Sequence, residues 1–438
     1  MFSLLRTSKN LGYFGKRSFG ILTRPTENLD SPKSNNHFIA MEYDYGCHNY
    51  HPIPIVAERA QGIHVWDVEG KQYLDFLSAY SAVNQGHGHP KILKTLIDQA
   101  QNLHLTSRAF HSNQLGPTEK YLADLFGYEK ALLMNTGVEA GESAIKLARR
   151  WAYNVKKVPD NQAVTLFASN NFWGRTIAAC ASSDDPDRYR RFGPFGGLGF
   201  EIIPYDDVQA LEAKFKENPN IAAFMVEPIQ GEAGVIFPAE GYLKKVRELC
   251  TKYNVLLICD EVQTGLGRTG KLYACQWENV KPDMLLLGKA TTGGVYPVSV
   301  VLTNKEIMDQ IKPGEHGSTY GGNPLGSAVT RTAIQVLIDE GMIENSLKLG
   351  KVLYDGLKSL KNKSIKEVRG GKGLFAAVEF HEHSKVSALD VSYKLVGNGL
   401  LAKPTHGTTI RFSPPLIITE AQLNQGLDII KKSFDAFN

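Results

Sequence analysis

Two stretches decide the fold: residues 255–263, Val-Leu-Leu-Ile-Cys-Asp-Glu-Val-Gln, and residues 284–289, Met-Leu-Leu-Leu-Gly-Lys. Each begins with an apolar run of strand length and leads to a charged residue, Asp260 in the first and Lys289 in the second. Short apolar runs of this kind predict strands that are buried on both faces, as in a parallel sheet covered by helices. Ligands bind such sheets at the carboxyl ends of the strands, so Asp260 and Lys289 are predicted to project into one crevice.

Apolar runs of strand length alternate with helical patterns from about residue 91 to residue 325. Apolar residues recur with helical spacing in residues 139–153 and 241–253. This alternation predicts an α/β fold whose mostly parallel sheet is flanked by helices. Besides the two stretches above, the predicted strands are residues 131–134, 163–168, 201–204, 222–226 and 298–302.

The pattern changes after about residue 326. Two long helices are followed by a strand pair near residues 365–380 and by a last helix. That helix opens with Thr419-Glu-Ala-Gln422, which has the spacing of a capping box. A separate, smaller α+β domain is therefore predicted at the C-terminal end.

The charge of the chain is unevenly distributed over its 438 residues. Five Lys or Arg residues and no acid lie in residues 1–24; subtracting these five charges from the formal net charge of +4 leaves −1 for the remainder. Such a body gives no sign of nucleic-acid binding, and no run approaches the ~18 apolar residues of a membrane span. The leader, with Arg and Ser among apolar residues, is typical of a mitochondrial transit peptide and predicts the mitochondrial matrix; an unstructured basic tail is the alternative.

The predicted organisation has four parts. They are a transit peptide (1–24), a linker and N-terminal arm (25–90), a large cofactor-binding domain (91–325) and a small C-terminal domain (326–438).

Three patterns that suggest other chemistry are set aside. The five cysteines are scattered and never spaced C-x-x-C, which argues against a disulfide scaffold and a structural zinc site. Residues 265–271 fit the glycine and lysine spacing of a phosphate-binding loop, but Leu272 stands where a magnesium-binding Ser or Thr is required. His87 and His89 lack a supporting cluster of acids or cysteines in the sequence and are interpreted as turn residues.

An acid and a lysine at neighbouring strand ends match the chemistry of pyridoxal phosphate. The cofactor needs a lysine for its Schiff base and a carboxylate that keeps its ring nitrogen protonated. Residues 135–142, Asn-Thr-Gly-Val-Glu-Ala-Gly-Glu, lie between a predicted strand and a predicted helix. The N-terminus of that helix would present free N–H groups to a phosphate. The ordinary alternatives are a surface lysine, a turn-capping Asp260 and a simple capped helix start.

These residues stand in motifs that resemble those of the class-III aminotransferases, which have the type I fold of aspartate aminotransferase. The resemblance runs from about residue 38 to the C-terminus and is strongest to the members that act on ornithine. The class motifs lie at residues 135–141, 260–265, 287–289 with 293–294, and 316–319 with 322–324. The ornithine-type motifs lie at residues 45–52, 76–84, 171–175, 227–232, 403–407 and 410–412.

The resemblance implies roles for individual residues, first toward the cofactor. The implied cofactor-binding residues are Lys289 (the Schiff base), Asp260 (the pyridine nitrogen), Gln263 (the ring hydroxyl), Phe172 (stacking on the ring), the amides of Gly137 and Val138 (the phosphate), and Ser318 and Thr319, of which Thr319 would reach the phosphate of a partner subunit. The implied substrate-binding residues are Arg175 (a carboxylate clamp), Tyr50 and Tyr80 (the specificity pocket), and Glu232 with Arg411 (a pair that lets one site serve two substrates).

The activity implied by the resemblance is transfer of the δ-amino group of ornithine to 2-oxoglutarate by a homodimer or larger homo-oligomer. An aminotransferase for acetylornithine or 4-aminobutyrate, a pyridoxal-phosphate mutase or decarboxylase, and a non-catalytic binding protein are the alternatives. One departure follows Lys289, where the chain has Ala-Thr-Thr-Gly-Gly and the family usually has Ala-Leu-Ser-Gly-Gly. Thr291 thus replaces an apolar residue, which predicts weaker local packing.

Overall fold

The computed structural model describes residues 23–27 and 30–437. The chain divides into two compact units, with the boundary between Val56 and Ala57. The predicted transit peptide lies outside the described residues except for Thr23 and Arg24. In the first unit, helix α1 (Asn35–Tyr45) starts after Ser34, whose hydroxyl accepts a hydrogen bond from Asn36 N.

The strands of the second unit form three sheets within residues 57–437. In chain order they are β1 (Ala57–Gln61), β2 (His64–Asp67), β3 (Gln72–Asp75), β4 (Lys130–Met134), β5 (Val164–Ala168), β6 (Phe200–Ile203), β7 (Ile221–Val226), β8 (Leu256–Asp260), β9 (Met284–Leu287), β10 (Ser299–Thr303), β11 (Ile365–Arg369), β12 (Ala376–Phe380), β13 (Leu400–Leu401), β14 (Lys403–Thr405) and β15 (Thr409–Phe412).

Helices cover these sheets and connect their strands. In chain order they are α2 (Ser78–Ser81), α3 (Pro90–Asn102), α4 (Leu115–Phe126), α5 (Gly137–Trp151), α6 (Ile177–Ala181), α7 (Pro186–Tyr189), α8 (Val208–Glu217), α9 (Tyr242–Lys252), α10 (Lys305–Met308), α11 (Pro324–Asp339), α12 (Met342–Lys358), α13 (Ala388–Gly397) and α14 (Glu420–Asp435).

The central sheet of the second unit has the order β4-β10-β9-β8-β7-β5-β6 among the described residues. Strands β6, β5, β7, β8 and β9 pair in parallel, and β10 runs antiparallel to both β9 and β4. Strands β7, β8 and β9 are buried along their whole length, which explains their continuous apolar sequences. The predicted α/β fold is confirmed, and the predicted strands agree with the observed ones to within one residue at each end.

Only two residues, Asn135 and Thr136, separate the carboxyl end of β4 from the start of helix α5. Helix α5 begins directly after β4 through a capping box, in which Thr136 and Glu139 satisfy each other's backbone N–H groups. The buried face of α5 packs under the central sheet with Ala144, Leu147 and Ala148. The free end of this helix is thereby fixed at the same edge as the ends of β8 and β9.

A second mixed α/β region follows α11. Strands β11, β12, β15 and β14 form an antiparallel sheet, and β15 carries Arg411. Helix α14 begins with the expected capping box between Thr419 and Gln422. The domain boundary predicted after residue 325 falls near the start of α11, and it stays a prediction together with the boundary after residue 90.

No helix in the part of the chain that the structure describes combines the length and the apolar character that a membrane span requires.

Candidate active site

Three neighbouring parallel strands deliver charged side chains to one edge of the central sheet. Strand β7 is followed at once by Glu227, β8 ends on Asp260, and Lys289 comes two residues after β9. The strands pair in register as β7-β8-β9, so the three side chains share one crevice. The crevice predicted from Asp260 and Lys289 therefore contains a second carboxyl group.

Lys289 has a strained backbone conformation. Its φ angle is 49°, in the left-handed region that L-residues other than glycine seldom adopt. The single 3₁₀ turn that follows, Lys289–Thr292, is anchored by two hydroxyl groups: Thr291 donates to Val298 O at 2.6 Å, and Thr292 donates to Tyr296 O. The buried hydroxyl of Thr291 thus ties the turn that positions the lysine to the segment that carries Val298.

Burial perturbs all three charged groups in the crevice. It lowers the pKa of Lys289, although the charge of Asp260 opposes the change. It raises the pKa of Asp260 to about 6 and that of Glu227 to about 8, the latter with a further contribution from the charge of Asp260. A lysine with a lowered pKa has a larger fraction of neutral amine at neutral pH, which a proton-transfer role requires.

The start of α5 forms a cup for an anion beside this crevice. The first N–H groups of a helix have no partner within it, and here they belong to Gly137 and Val138. A side chain at Gly137 does not fit, because its Cβ would lie 2.9 Å from Val262 Cγ1. Ser318 lies near the cup, since Asn135 Nδ2 donates to Ser318 Oγ at 2.9 Å.

The aromatic side chain of Phe172 lies among charged groups of the site. Phe172 N donates to Glu227 Oε1 at 3.0 Å, and the other oxygen of Glu227 accepts from Gly231 N at 3.2 Å. Two guanidinium groups approach the Phe172 ring: Arg175 Cζ lies 5.7 Å and Arg188 Cζ lies 4.7 Å from its centroid.

Arg411 is the most buried charged group of the site, with 1% of its side chain exposed. Its Nη1 donates to Gln263 Oε1 at 2.7 Å and to Gly231 O at 3.1 Å, and lies 3.6 Å from Glu232 Oε2. Its Nε has no partner among the described residues. Burial opposes ionisation of Glu232, but Arg411 and then Arg188 hold the pKa of its carboxyl below the usual range. The structure thus brings the predicted pair together, with the ion pair longer than a hydrogen bond.

Tyr80 covers Arg411 from a backbone turn of unusual handedness. The ring centroid of Tyr80 lies 4.9 Å from Arg411 Cζ. All four residues of α2, Ser78 to Ser81, have positive φ angles between 46° and 71°. Asp75 Oδ1 accepts from Leu77 N and Ser78 N at the start of this turn.

Three predicted site residues are placed less closely. Tyr50 belongs to the first compact unit and is 60% exposed, so its role in the pocket stays a prediction. Thr319 and Arg175 are exposed in the second unit. Their side chains are accessible to a partner subunit or a substrate, as their predicted roles require.

Glu227 and Arg188 were given no role in the sequence analysis. Glu227 had a signal of the same kind as Asp260, because it directly follows the buried strand 221–226. Arg188 had none, since it lies in a segment with Arg190 and Arg191 and no local pattern marks it as buried.

The patterns that were set aside have structural explanations. The loop at residues 265–270 is buried, and Arg268 within it donates to Leu374 O and Pro414 O at 2.8 and 2.7 Å. His87 pairs with Asp75 and His89 with Glu340. Among the described residues, no group of three His, Cys, Asp or Glu side chains could hold a metal ion.

The donor set fits the cofactor expected from the sequence. The helix start suits a phosphate, Phe172 supplies an aromatic ring beside Glu227, and the buried Asp260 carboxyl suits a protonated ring nitrogen. Lys289 and Asp260 are close enough for their charges to interact. Gln263 accepts a hydrogen bond from Arg411, so a predicted cofactor-binding residue contacts a predicted substrate-binding residue.

Comparisons with known proteins agree with this arrangement. A sequence model of the family "Aminotransferase class-III" matches residues 45–434. The mitochondrial ornithine aminotransferase of Drosophila melanogaster is 59% identical over 394 residues, covering 90% of each chain. The structure of the ornithine aminotransferase from Toxoplasma gondii, described with pyridoxal phosphate (PLP) at its active site, has a TM-score of 0.91 and 50% identity and covers 92% of this chain and 95% of that one. An acetylornithine aminotransferase from Elizabethkingia anophelis has a TM-score of 0.84 and 50% identity, with 92% and 99% covered.

The match spans most of the chain, includes the strand ends that carry Asp260 and Lys289, and extends through Arg411. The chain belongs to the class-III aminotransferase family.

Proposed function

We propose that this chain transfers the δ-amino group of L-ornithine to 2-oxoglutarate, giving glutamate 5-semialdehyde, which cyclises to pyrroline-5-carboxylate, and L-glutamate. The observation that carries the proposal is the contact of Arg411 with both Glu232 and Gln263 beside Lys289. The two amino donors differ in whether a carboxylate lies next to the amine that reacts. A cation such as Arg411, which Glu232 can neutralise or leave free, suits an enzyme that must accept both. The Drosophila melanogaster and Toxoplasma gondii relatives are named for ornithine, which supports the amino donor of the proposal.

The residues at the strand ends would hold pyridoxal phosphate. The amides of Gly137 and Val138 would bind the phosphate, Phe172 would pack on the ring, Gln263 would bind the ring hydroxyl and Asp260 would keep the ring nitrogen protonated. Bound in this way, the cofactor supplies an electron sink for the carbon that loses its proton.

Lys289 moves that proton. Burial favours the neutral amine, so Nζ can accept a proton from the substrate carbon and return it to the neighbouring carbon. Proton transfer by a positioned side chain accelerates such steps by about 10²–10⁴-fold. The strained φ angle of Lys289 and the two anchoring threonines limit where its side chain can go.

Two cationic positions separate the substrates. The exposed side chain of Arg175 binds the α-carboxylate of ornithine, so that the δ-amine reaches the reacting centre. Glutamate must present its α-amine, which brings its α-carboxylate close to Arg411. Glu232 masks Arg411 in the first case and is displaced by the incoming carboxylate in the second.

Another class-III ω-aminotransferase, acting on acetylornithine or 4-aminobutyrate, is the alternative. The sequence contexts of Tyr50 and Tyr80 favour ornithine. The test is a donor screen of the purified holoenzyme with 2-oxoglutarate as acceptor, in which ornithine is expected to give the highest kcat/KM. A higher value with acetylornithine or 4-aminobutyrate would contradict the proposal.

Location and assembly are part of the same proposal. The animal relative is named mitochondrial, and the acid-free leader supports import into the matrix. The exposed Thr319 next to Ser318 supports a homodimer in which each subunit completes the phosphate site of the other.

A further inference from the structure

One buried arginine takes no part in the proposed reaction. Arg188 is 6% exposed and lies at the end of the short helix α7. An unpaired guanidinium is costly to bury, so the groups around it are informative. Its Nη1 donates to Asn171 O at 2.8 Å, and its Nε lies 3.5 Å from Asp185 Oδ2. Its Cζ lies over the Phe172 ring, 4.7 Å from the centroid.

These contacts place Arg188 close to the segment that carries Glu232. The carboxyl of Glu227 bridges Phe172 N and Gly231 N, so the backbone at residues 171–172 and at residues 231–232 is separated by the width of one carboxyl group. Arg188 holds the first of these segments at Asn171, and Glu232 belongs to the second. Arg188 and Glu232 therefore belong to, or contact, neighbouring backbone segments of the site.

The charges of Arg188 and Glu232 influence each other. After burial and Asp185, Glu232 is the next strongest influence on the pKa of Arg188. In turn Arg188 is, after Arg411, the second strongest cation that lowers the pKa of Glu232. The charges of both arginines therefore act on Glu232, and of the two only Arg411 lies within 4 Å of its carboxylate.

We propose that Arg188 is a specificity-determining residue that acts through Glu232, attracting the Glu232 carboxylate when a dicarboxylate takes its place on Arg411. Without a second cation, the displaced carboxylate would be left buried and unpaired, which is strongly unfavourable. Arg188 thereby favours the acceptor half-reaction and leaves the ornithine half-reaction nearly unaffected. The inference rests on the proposed function, since it presumes that Glu232 moves between two substrates.

The experiment compares four variants of the holoenzyme. Arg188→Gln removes the charge, and Arg188→Lys keeps the charge but not the planar group. Asp185→Asn removes the competing carboxylate and retains an oxygen that can cap α7. Arg190→Gln is the matched control, because it removes one positive charge from an exposed position in the same segment.

Two readouts are measured for each variant. One is the single-turnover rate constant of each half-reaction as a function of ornithine or 2-oxoglutarate concentration. The other is the dissociation constant of glutarate, a dicarboxylate that cannot react, from the absorbance change of the bound cofactor. Thermal unfolding confirms that each variant is folded.

Arg188→Gln is expected to weaken glutarate binding and to lower kcat/KM for 2-oxoglutarate by about 5- to 10-fold, the effect of one partly screened charge, with less than about a 2-fold change for ornithine. Arg188→Lys should recover most of the loss, Asp185→Asn should shift both values in the opposite direction, and Arg190→Gln should change neither.

The proposal would be overturned if Arg188→Gln slowed both half-reactions equally and Arg188→Lys did not recover the rates. Arg188 would then be a purely structural anchor for Asn171. If Arg188→Gln does not fold, the Asp185→Asn variant decides. A dissociation constant of glutarate that is no lower in Asp185→Asn than in the unaltered protein overturns the proposal. A failure of the proposed function is distinct, because it would appear as an inactive ornithine half-reaction in the unaltered protein.

Discussion

At the scale of single residues, the contact between Glu232 and Arg411 determines how the site treats carboxylates. Arg411 is almost fully buried, and Glu232 is its only carboxylate within 4 Å among the described residues. Removing Glu232 leaves a buried cation that attracts any substrate carboxylate near the reacting centre. The pair is therefore expected to affect the two half-reactions in opposite ways.

The first prediction concerns this pair. Glu232→Ala should strengthen the glutamate half-reaction and weaken the preference for the δ-amine of ornithine over its α-amine. Arg411→Ala should slow the 2-oxoglutarate half-reaction by roughly 10- to 100-fold, the value of one charge-assisted hydrogen bond, and affect ornithine far less. Single-turnover kinetics of each half-reaction separate the effects. Equal slowing of both halves by Glu232→Ala would mean that the pair is only structural.

A second prediction follows from the buried carboxyl of Glu227. Its pKa is raised to about 8 in the folded chain from 4.5, chiefly by burial. The protonated form therefore stabilises the fold fully below pH 4.5, and this contribution is lost as the pH rises toward about 8. Relative to Glu227→Gln, the unaltered protein should lose stability between pH 6 and pH 9, by on the order of 2–4 kcal/mol.

Thermal unfolding of the cofactor-free protein and of Glu227→Gln at both pH values measures this change. The variant loses one hydrogen-bond acceptor at every pH, so the informative quantity is how the difference in midpoint changes with pH. A difference that stays constant from pH 6 to pH 9 would show that Glu227 is ionised throughout.

Single residues also show what sequence can and cannot predict. Asp260 and Lys289 were predictable because each follows an apolar strand, and parallel strands bring such positions together. The hydrogen bond between Gln263 and Arg411 was not, because 148 residues separate them and no local pattern encodes the contact. The burial of Arg188 also depends on distant segments.

At the scale of elements, the left-handed turn α2 is the least expected feature. Its sequence is Ser-Ala-Tyr-Ser, without the glycine that usually allows positive φ angles. Long-range bonds maintain it: Ser78 Oγ donates to Ser413 O at 2.6 Å, and Ser413 N donates to Phe76 O. Tertiary contacts thus override local preference here, whereas the capping box of α14 is local and was predicted from the sequence.

The third prediction tests the strain in this turn. Ala79 is exposed with φ 46° and ψ 45°, a conformation that is unfavourable by roughly 1–2 kcal/mol for an L-residue. Ala79→Gly relieves that strain but increases the freedom of the unfolded chain, so the change should be neutral or stabilise by up to about 1 kcal/mol.

Ala213 provides the control, because it is exposed in the middle of α8. Ala213→Gly should destabilise by about 1 kcal/mol. Urea unfolding of both variants gives the comparison. If Ala79→Gly destabilises as much as Ala213→Gly, the turn is not strained as described.

At the scale of the whole molecule, the central question is how subunits share the site. Ser318 contacts Asn135 of its own chain, while Thr319 beside it is exposed. Thr319 is predicted to reach the phosphate of a partner subunit. A subunit with an intact Lys289 could then use the Thr319 of a partner whose own lysine is missing.

The fourth prediction is complementation between two inactive variants. Lys289→Ala removes the proton-transferring amine, and Thr319→Glu places a negative charge at the phosphate. Random mixed dimers should recover about a quarter of the unaltered activity, because half of the dimers would contain one intact site. Refolding or coexpression of the two variants, with each alone as control, tests it. No recovery would mean that each chain supplies its own Thr319 or acts as a monomer.

The most direct test of the central claim is the fate of the two nitrogens of ornithine. Holoenzyme is incubated with 2-oxoglutarate and ornithine labelled with ¹⁵N at either the δ or the α position, and the glutamate is analysed by mass spectrometry. We expect ¹⁵N in glutamate from the δ-labelled substrate and almost none from the α-labelled one, with pyrroline-5-carboxylate as the second product. Label transferred mainly from the α position, or no transfer from ornithine at all, would contradict that claim.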